Sequence, residues 1–268
     1  MSKLATLSIE DVRSLAPAAF SAIAHPRVSD RYSLFRTADI VERLEREGWL
    51  ITRASQSAIH TPNQRDFSQH LVALTRPEFQ YQSEQVEILM LNSNDGRRAY
   101  HSELGVFKFA CANGLVDASA RFGEMDLRHF GYAAEQLNDA TAKFVARVPE
   151  TVAVIDAWKT KMISPLDSLE LAKFALAQRY PEASPIEAVE LLYARRQDDI
   201  GQDLWRVFNV IQENLLKGGQ LYQKQTKRGL RNMSIRPIRS IGTNLGINKS
   251  LWRAAEALYA GEDLALPA

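Results

Sequence analysis

Val86-Glu-Ile-Leu-Met-Leu91, followed by Asn92-Ser-Asn-Asp-Gly96 and then by Arg97–Tyr100, reads as a strand, a tight turn and the start of a returning strand. Apolar β-formers broken by an Asn/Asp/Gly cluster are the local signature of a hairpin. The same alternation extends outward on both sides. Upstream, Trp49–Arg53 and Leu71–Arg76 are short β-rich runs, with Pro62 and Asn63 turning the chain between them. Downstream, Val106-Phe-Lys-Phe-Ala-Cys111 is apolar, Asn113-Gly114 turns the chain, and Arg121–His129 is one more candidate strand. The middle of the chain therefore reads as an antiparallel β-meander.

Helical patterning flanks that sheet. Ser8-Ile-Glu-Asp11 is a capping box opening a short helix that Pro17 disturbs. Thr37 is placed to cap a second, with Ile40, Val41 and Leu44 on one face and Gly48 as its stop. Beyond Gly131, helices are expected over Ala133–Lys161, with Pro149 kinking or splitting the run, and over Asp167–Tyr180, stopped by Pro181. Ser184 is read as capping a third, with Ile186, Val189, Leu192 and Tyr193 turned inward. Leu204, Val207, Phe208, Ile211 and Leu215 form an apolar stripe ended by Gly218-Gly219, and Asn248–Tyr259 is read as the final helix. The expectation is an α+β protein, a central antiparallel meander followed by a helical C-terminal half. No obvious linker or internal repeat interrupts the 268 residues, so one composite domain is expected.

Composition is that of an ordinary folded chain: 46% hydrophobic and 24% charged, which excludes disordered and low-complexity classes. A single cysteine, Cys111, rules out an internal disulfide framework and points to a reducing compartment. Without a signal-peptide pattern or a long apolar run, the expected location is the cytoplasm, with no membrane partner.

The net charge of +1 averages two unlike parts. Residues 214–255 hold nine bases, Lys217, Lys224, Lys227, Arg228, Arg231, Arg236, Arg239, Lys249 and Arg253, and no acid. The other 24 of the 33 bases stand against all 32 acids, a balance of −8. Ordinary surfaces mix signs, so an acid-free stretch of this length points to a polyanion. Bases one to five residues apart around Gly229 and Pro237 suit an extended chain following phosphates, whose neutralisation releases counterions. Gln220, Gln223, Gln225 and Asn232 add donors, and Tyr222 and Trp252 offer faces for stacking, although Leu251, Ala255 and Leu258 make Trp252 part of a core-facing stripe.

Catalytic signals are weak by contrast. His25, His60, His70, His101 and His129 include no pair at helical metal-binding spacing. His101-Ser-Glu103 followed by Cys111 lacks the paired-cysteine half of a zinc deaminase, and Cys111 among Phe107, Phe109 and alanines reads as an inert packed thiol. Glu84, Glu87, Asp95, Glu103 and Asp117 flank the sheet and are read as solvated strand acids, with convergence on a metal as the nuclease alternative. No phosphate loop or dinucleotide fingerprint occurs, and no cofactor or catalytic residue is expected.

Four ordered motifs carry a family resemblance: Leu91-Asn-Ser-Asn-Asp-Gly96, Gly105-Val-Phe-Lys-Phe-Ala-Cys-Ala-Asn-Gly-Leu-Val116, Asp203-Leu-Trp-Arg-Val-Phe-Asn-Val-Ile-Gln-Glu-Asn214 and Asn248-Lys-Ser-Leu-Trp252. Over about Tyr32 to Tyr259 the chain resembles the domain of unknown function 932 family. That resemblance implies a phage- or plasmid-like protein of mobile elements. The order of meander, helices and basic strip is also similar, at fold level only, to Rad52-type annealing proteins. The expected function is binding or annealing of single-stranded DNA in recombination, with the nine bases on the backbone and a homo-oligomer repeating along the strand. The alternatives are a protein-interaction module acting on a host defence or replication protein, and a metal-dependent nuclease.

Overall fold

The computed structural model describes residues 6–30, 32, 34, 36–57, 62–81, 84–96, 100–108, 116–117, 124–127, 146, 148–227 and 229–264. The chain forms two compact units, one from residues 1–110 and 121–151 and the other from residues 111–120 and 152–268.

The first unit is built on the expected meander. Strands β1 (Leu50–Gln56), β2 (His70–Thr75), β3 (Gln80–Tyr81), β4 (Glu84–Asn92) and β5 (Tyr100–Lys108) are joined by antiparallel pairing in the order β1-β2-β4-β5, with β3 beside β4. The two-residue strand β6 (Val116–Asp117) falls in the second unit, and β7 (Glu124–Leu127) pairs with β5, Tyr100 facing Leu127. The hairpin that organises the sheet pairs Met90 with Ser102 and Glu84 with Lys108. Every residue of β2 is buried, as is β4 from Gln85 onward, which explains the unbroken apolar runs there.

Helices α1 (Ile9–Leu15) and α2 (Thr37–Arg46) belong to this unit. The capping box at α1 is formed: the Ser8 N–H donates to Asp11 at 2.8 Å, and the Asp11 N–H donates to the Ser8 hydroxyl at 3.2 Å. At α2 the expectation fails in detail. Arg36 is the N-cap and Thr37 is the first helical residue, its hydroxyl taken instead by a buried hydrogen-bond chain. Asn92 Nδ2 donates to Thr37 Oγ1 (3.2 Å), so the hydroxyl proton goes to His70 Nε2 (2.7 Å), and His70 Nδ1–H donates to the Ser68 carbonyl (3.1 Å). Burial pushes the His70 pKa down to about 4, against the small upward pull of the Ser68 bond, and the ring is a neutral strut between α2 and the sheet.

The motif Leu91–Gly96 is structural in the same way. Asn94 is 1% exposed, and its Nδ2 donates to the carbonyls of Ala18 (2.7 Å) and Asp66 (3.3 Å). The turn thus fastens two short 3₁₀ segments, Pro17–Phe20 and Pro62–Phe67, to the end of β4.

The second unit is helical: α3 (Val148–Thr160) from residue 152 onward, α4 (Pro165–Arg179), α5 (Leu204–Lys217) and α6 (Ile241–Ala260). Pro149 lies in the first turn of α3, where its missing N–H costs nothing. The part of the expected helix over 133–145, and the Asn113-Gly114 turn, lie outside the described residues. α4 begins earlier than Asp167, because Ser164-Pro-Leu-Asp167 is a second capping box, with Ser164 accepting from the Asp167 N–H at 3.1 Å.

The expected helix after Ser184 is not an α-helix. Ser184 Oγ makes only a local turn with Ile186, and a 3₁₀ segment, Ala188–Leu192, turns Ala188 and Leu191 inward while Val189 and Tyr193 are exposed. α6 starts seven residues before the expected Asn248, capped by Ser240. Gly242 and Gly246 disguise its first turns in the sequence.

α5 is the axis of the unit, with twelve of its residues, Leu204, Trp205 and Val207–Leu216, buried. Trp158 of α3, Trp205 and Phe208 of α5 and Trp252 of α6 form one aromatic cluster, the Trp158 and Trp252 rings 4.3 Å apart. Polar groups of the motif over Asp203–Asn214 are paired inside it. Gln212 Nε2 donates to Asn248 Oδ1 (2.8 Å), and Asn248 Nδ2 donates to Asn244 Oδ1 (2.6 Å).

Candidate nucleic-acid interface

The middle of the basic segment is an exposed β-ribbon. Strands β8 (Leu221–Thr226) and β9 (Gly229–Ser234) pair only with each other among the described residues. The loop between them is two residues long, and Gly229, at φ +100°, takes the left-handed geometry the turn requires. Thr226 Oγ1 donates to the Gly229 carbonyl (2.8 Å) and closes the turn.

The ribbon's base is held rigidly. α5 ends at Gly218, whose φ of +65° and ψ of −144° only glycine tolerates, and a Cβ there would lie 2.5 Å from the Ile235 carbonyl oxygen. Gly219 N–H donates to the Ile235 carbonyl (2.9 Å), Ile235 N–H to the Gln220 carbonyl (2.9 Å), and Ile235 itself is buried. Two arginines supply donors to the carbonyls at this helix end. Arg179 donates to the carbonyls of Leu215 and Arg236, and Arg195 to the Gly218 carbonyl and, at 2.7 Å, to Asn214 Oδ1. Cations at a helix C-terminus answer both its unpaired carbonyls and its dipole.

Cross-strand register sorts the ribbon's side chains into two unlike faces. Tyr222 stands opposite Met233, Lys224 opposite Arg231 and Thr226 opposite Gly229, so these share one face. On the other face Leu221 stands opposite Ser234, Gln223 opposite Asn232 and Gln225 opposite Leu230. The sequence mixes cations with amides; the pleat separates them. Gln220 is outside the ribbon proper, and its Nε2 donates to the Asn214 carbonyl (3.0 Å).

The nine expected contact residues are not equivalent in the structure. Lys224, Lys227 and Arg231 are exposed on the ribbon, Arg236 and Arg239 are exposed on the segment leading to α6, and Arg253 is exposed on α6. No described carboxylate pairs with any of these six. Arg228 lies outside the described residues. Lys249 is half-buried on α6 and has a partner within the protein. Lys217 donates to Glu213 at 2.9 Å. Glu213 is 2% exposed and is also held by Arg196, which bridges to Asp199 at 2.7 Å. Burial alone would raise the Glu213 pKa, but Lys217 and Arg196 hold it below the usual carboxylate value. Trp252 is fully buried in the aromatic cluster and has no face for a base; Tyr222, half-exposed beside Lys224, does.

One of the acids read as solvated is buried instead. Glu87 is 1% exposed and accepts from Thr52 Oγ1 (2.5 Å), Gln85 Nε2 (2.7 Å) and Arg53. The sheet's face is covered there, and period-2 alternation cannot tell a covered polar face from a wet one. Asp95 is half-buried and accepts from Ser93 Oγ (3.0 Å). The side chains of Glu84, Glu103, Asp117 and His101, and all of Cys111, His60 and His129, lie outside the described residues. Among the described residues no three His, Cys, Asp or Glu side chains converge as metal ligands, and no helix is long and apolar enough to cross a membrane.

The four motifs lie within the span matched by a family model, and the chain belongs to that family: DUF932, a domain of unknown function, over residues 24–252. Among curated proteins it is similar to the UPF0380 protein YafZ of Escherichia coli strain K12, 34% identical over 254 residues, covering 94% of this chain and 91% of that one. It is 33% identical to the UPF0380 protein YfjQ of the same strain, with the same coverage of each chain. No solved structure matches, and the likeness to the Rad52-type annealing fold gains no support.

Proposed function

We propose that this protein binds nucleic acid through the Tyr222 face of the β8–β9 ribbon, holding single-stranded DNA during recombination in a mobile element. One observation carries the proposal: the register sets Lys224 opposite Arg231 and Tyr222 opposite Met233 on a face with no acid. The spacing between paired strands puts two cations side by side, and the aromatic ring lies two residues along the strand. Phosphates take the cations, a base stacks on Tyr222, and Lys227, Arg236 and Arg239 extend the positive field beyond the ribbon. No bond is made or broken. An annealing role follows if bases remain exposed while the backbone is held.

Fluorescence anisotropy of a labelled oligothymidine with the full-length protein tests this. Binding is expected at low salt, with log affinity falling linearly in log salt by about 0.7 for each phosphate neutralised. No binding at low salt overturns the proposal. Duplex DNA and RNA of the same length, used as competitors, rank the strand preference.

A further inference from the structure

Arg179 and Arg195 do more than cap a helix. Arg179, the last residue of α4, spreads its guanidinium between two elements. Nη1 donates to the Leu215 carbonyl in the last turn of α5, and Nη2 donates to the Arg236 carbonyl, on the limb by which the chain leaves the ribbon. A cap would need only the first of these bonds. Arg195 acts on the other limb: its Nη2 donates to the Gly218 carbonyl, where the chain enters the ribbon, and its Nε donates to Asn214 Oδ1 (2.7 Å). Asn214 is 4% exposed and holds this arginine in place. Its Nδ2 donates to the carbonyls of Leu191 (3.0 Å) and Tyr193 (2.9 Å), just ahead of Arg195, and its own carbonyl accepts from the Gly218 N–H (3.1 Å). Neither arginine pairs with a described carboxylate, so both guanidinium groups are spent on holding backbone and amide oxygens.

The element they hold has few other ties. The entering limb contains Gly218 and Gly219 at φ +65° and +95°, two successive residues without a side chain to restrain them. The leaving limb is tied to α5 by one backbone bond, from the Ile238 N–H to the Leu216 carbonyl (2.8 Å). A two-stranded hairpin is marginal by itself, so its angle to the helix depends on these attachments.

We infer that Arg179, and Arg195 through Asn214, are positioning residues of the nucleic-acid site, fixing the ribbon's angle on the end of α5. The inference rests on the reading of the ribbon as that site. One strand can meet Lys224 and Arg231 on the ribbon and then Arg236 and Arg239 beyond it only while the ribbon keeps one orientation. A ribbon in that orientation a tenth of the time binds about tenfold more weakly, although every contact residue is still present. The fork of the guanidinium is what the role requires. It reaches oxygens of two elements at once in a fixed geometry, which the compact ammonium of lysine on its flexible stem does not.

The test uses the full-length protein and two charge-preserving variants, Arg179→Lys and Arg195→Lys, made singly. Hydrogen–deuterium exchange without DNA should show amides of residues 219–235 exchanging about tenfold faster in each variant, with the amides of the α5 core at their wild-type rate. Oligothymidine affinity should fall about tenfold while the log–log salt slope stays at its wild-type value, because no phosphate contact is lost. Ribbon exchange equal to wild type overturns the inference, as does wild-type affinity with a loosened ribbon. A lowered salt slope also overturns it, by making the arginines phosphate contacts. If one variant unfolds, the other, acting on the opposite limb, decides the question alone. A wild type that binds no oligothymidine removes the reading of the site, whereas the exchange comparison still decides whether the two arginines hold the ribbon.

Discussion

Lys217 Nζ donates to Glu213 Oε1 at 2.9 Å, one helical turn apart on α5, and this bond divides the basic segment into structural and available cations. Glu213 is the acid immediately before the acid-free stretch, so the ion pair crosses its boundary. Lys217→Ala should therefore leave oligothymidine affinity unchanged within about twofold while lowering stability, whereas Lys224→Ala/Arg231→Ala should do the reverse. The second variant should reduce the log–log salt slope by about 1.4, because two phosphates are no longer neutralised, with stability shifted by less than about 0.5 kcal/mol. Anisotropy titrations and urea melts on both proteins separate the two classes.

Tyr222→Ala should weaken oligothymidine binding by about fivefold or more, corresponding to loss of about 1 kcal/mol of stacking, with no change in the salt slope. Tyr222→Phe should retain it, because the ring face is what stacks. Equal losses in both variants would assign the hydroxyl rather than the ring.

Arg196 is the keystone of the buried acid pair, since both Glu213 and Asp199 depend on it. Arg196→Ala removes the guanidinium shared by two carboxylates that are each 2% exposed, and should cost about 3 kcal/mol in chemical denaturation. Because the Glu213 pKa is depressed in the folded protein, its contribution is present above the ordinary carboxylate pKa and is lost as pH falls through the lowered one. Glu213→Gln should flatten that part of the acid limb.

His70 adds a second acid dependence in a higher window. Its folded pKa, pushed down to about 4 from an ordinary 6.5, means that the unfolded chain takes up the proton first. Stability should be at full value above pH 6.5, fall by about 3 kcal/mol between there and pH 4, and lose nothing more from this group below that. Urea midpoints measured across this range should lose that slope in His70→Gln, which keeps a hydrogen-bonding side chain but does not titrate.

Gly218→Ala should destabilise by about 2 kcal/mol or more, from the left-handed φ and from the 2.5 Å approach to the Ile235 carbonyl. The same change should weaken DNA binding, because Gly218 and Ile235 set the ribbon on the end of α5. Gly229→Ala, at the open turn with nothing within 4 Å of the added methyl group, should show the smaller backbone effect alone. Thermal midpoints of the two variants make the comparison.

The sequence by itself determined the α+β class, the hairpin around Asn92–Gly96, the capped start of α1, the apolar stripe of α5 and the core position of Trp252. Each is a local signal: strand period, capping chemistry or helical spacing acts between residues a few positions apart. It also isolated the acid-free stretch, because counting charges needs no coordinates. Tertiary structure alone decided the rest. Burial of Glu87 and of the His70–Thr37–Asn92 chain depends on which faces are covered, and the end of α5 depends on Arg179 and Arg195 arriving from elsewhere in the chain. The ribbon depends on cross-strand register, which places Lys224 beside Arg231, seven positions away, and turns Gln223 to the opposite side. Side chains adjacent in sequence point apart on a strand, so a row of bases and amides in the sequence became two faces with separate chemistry.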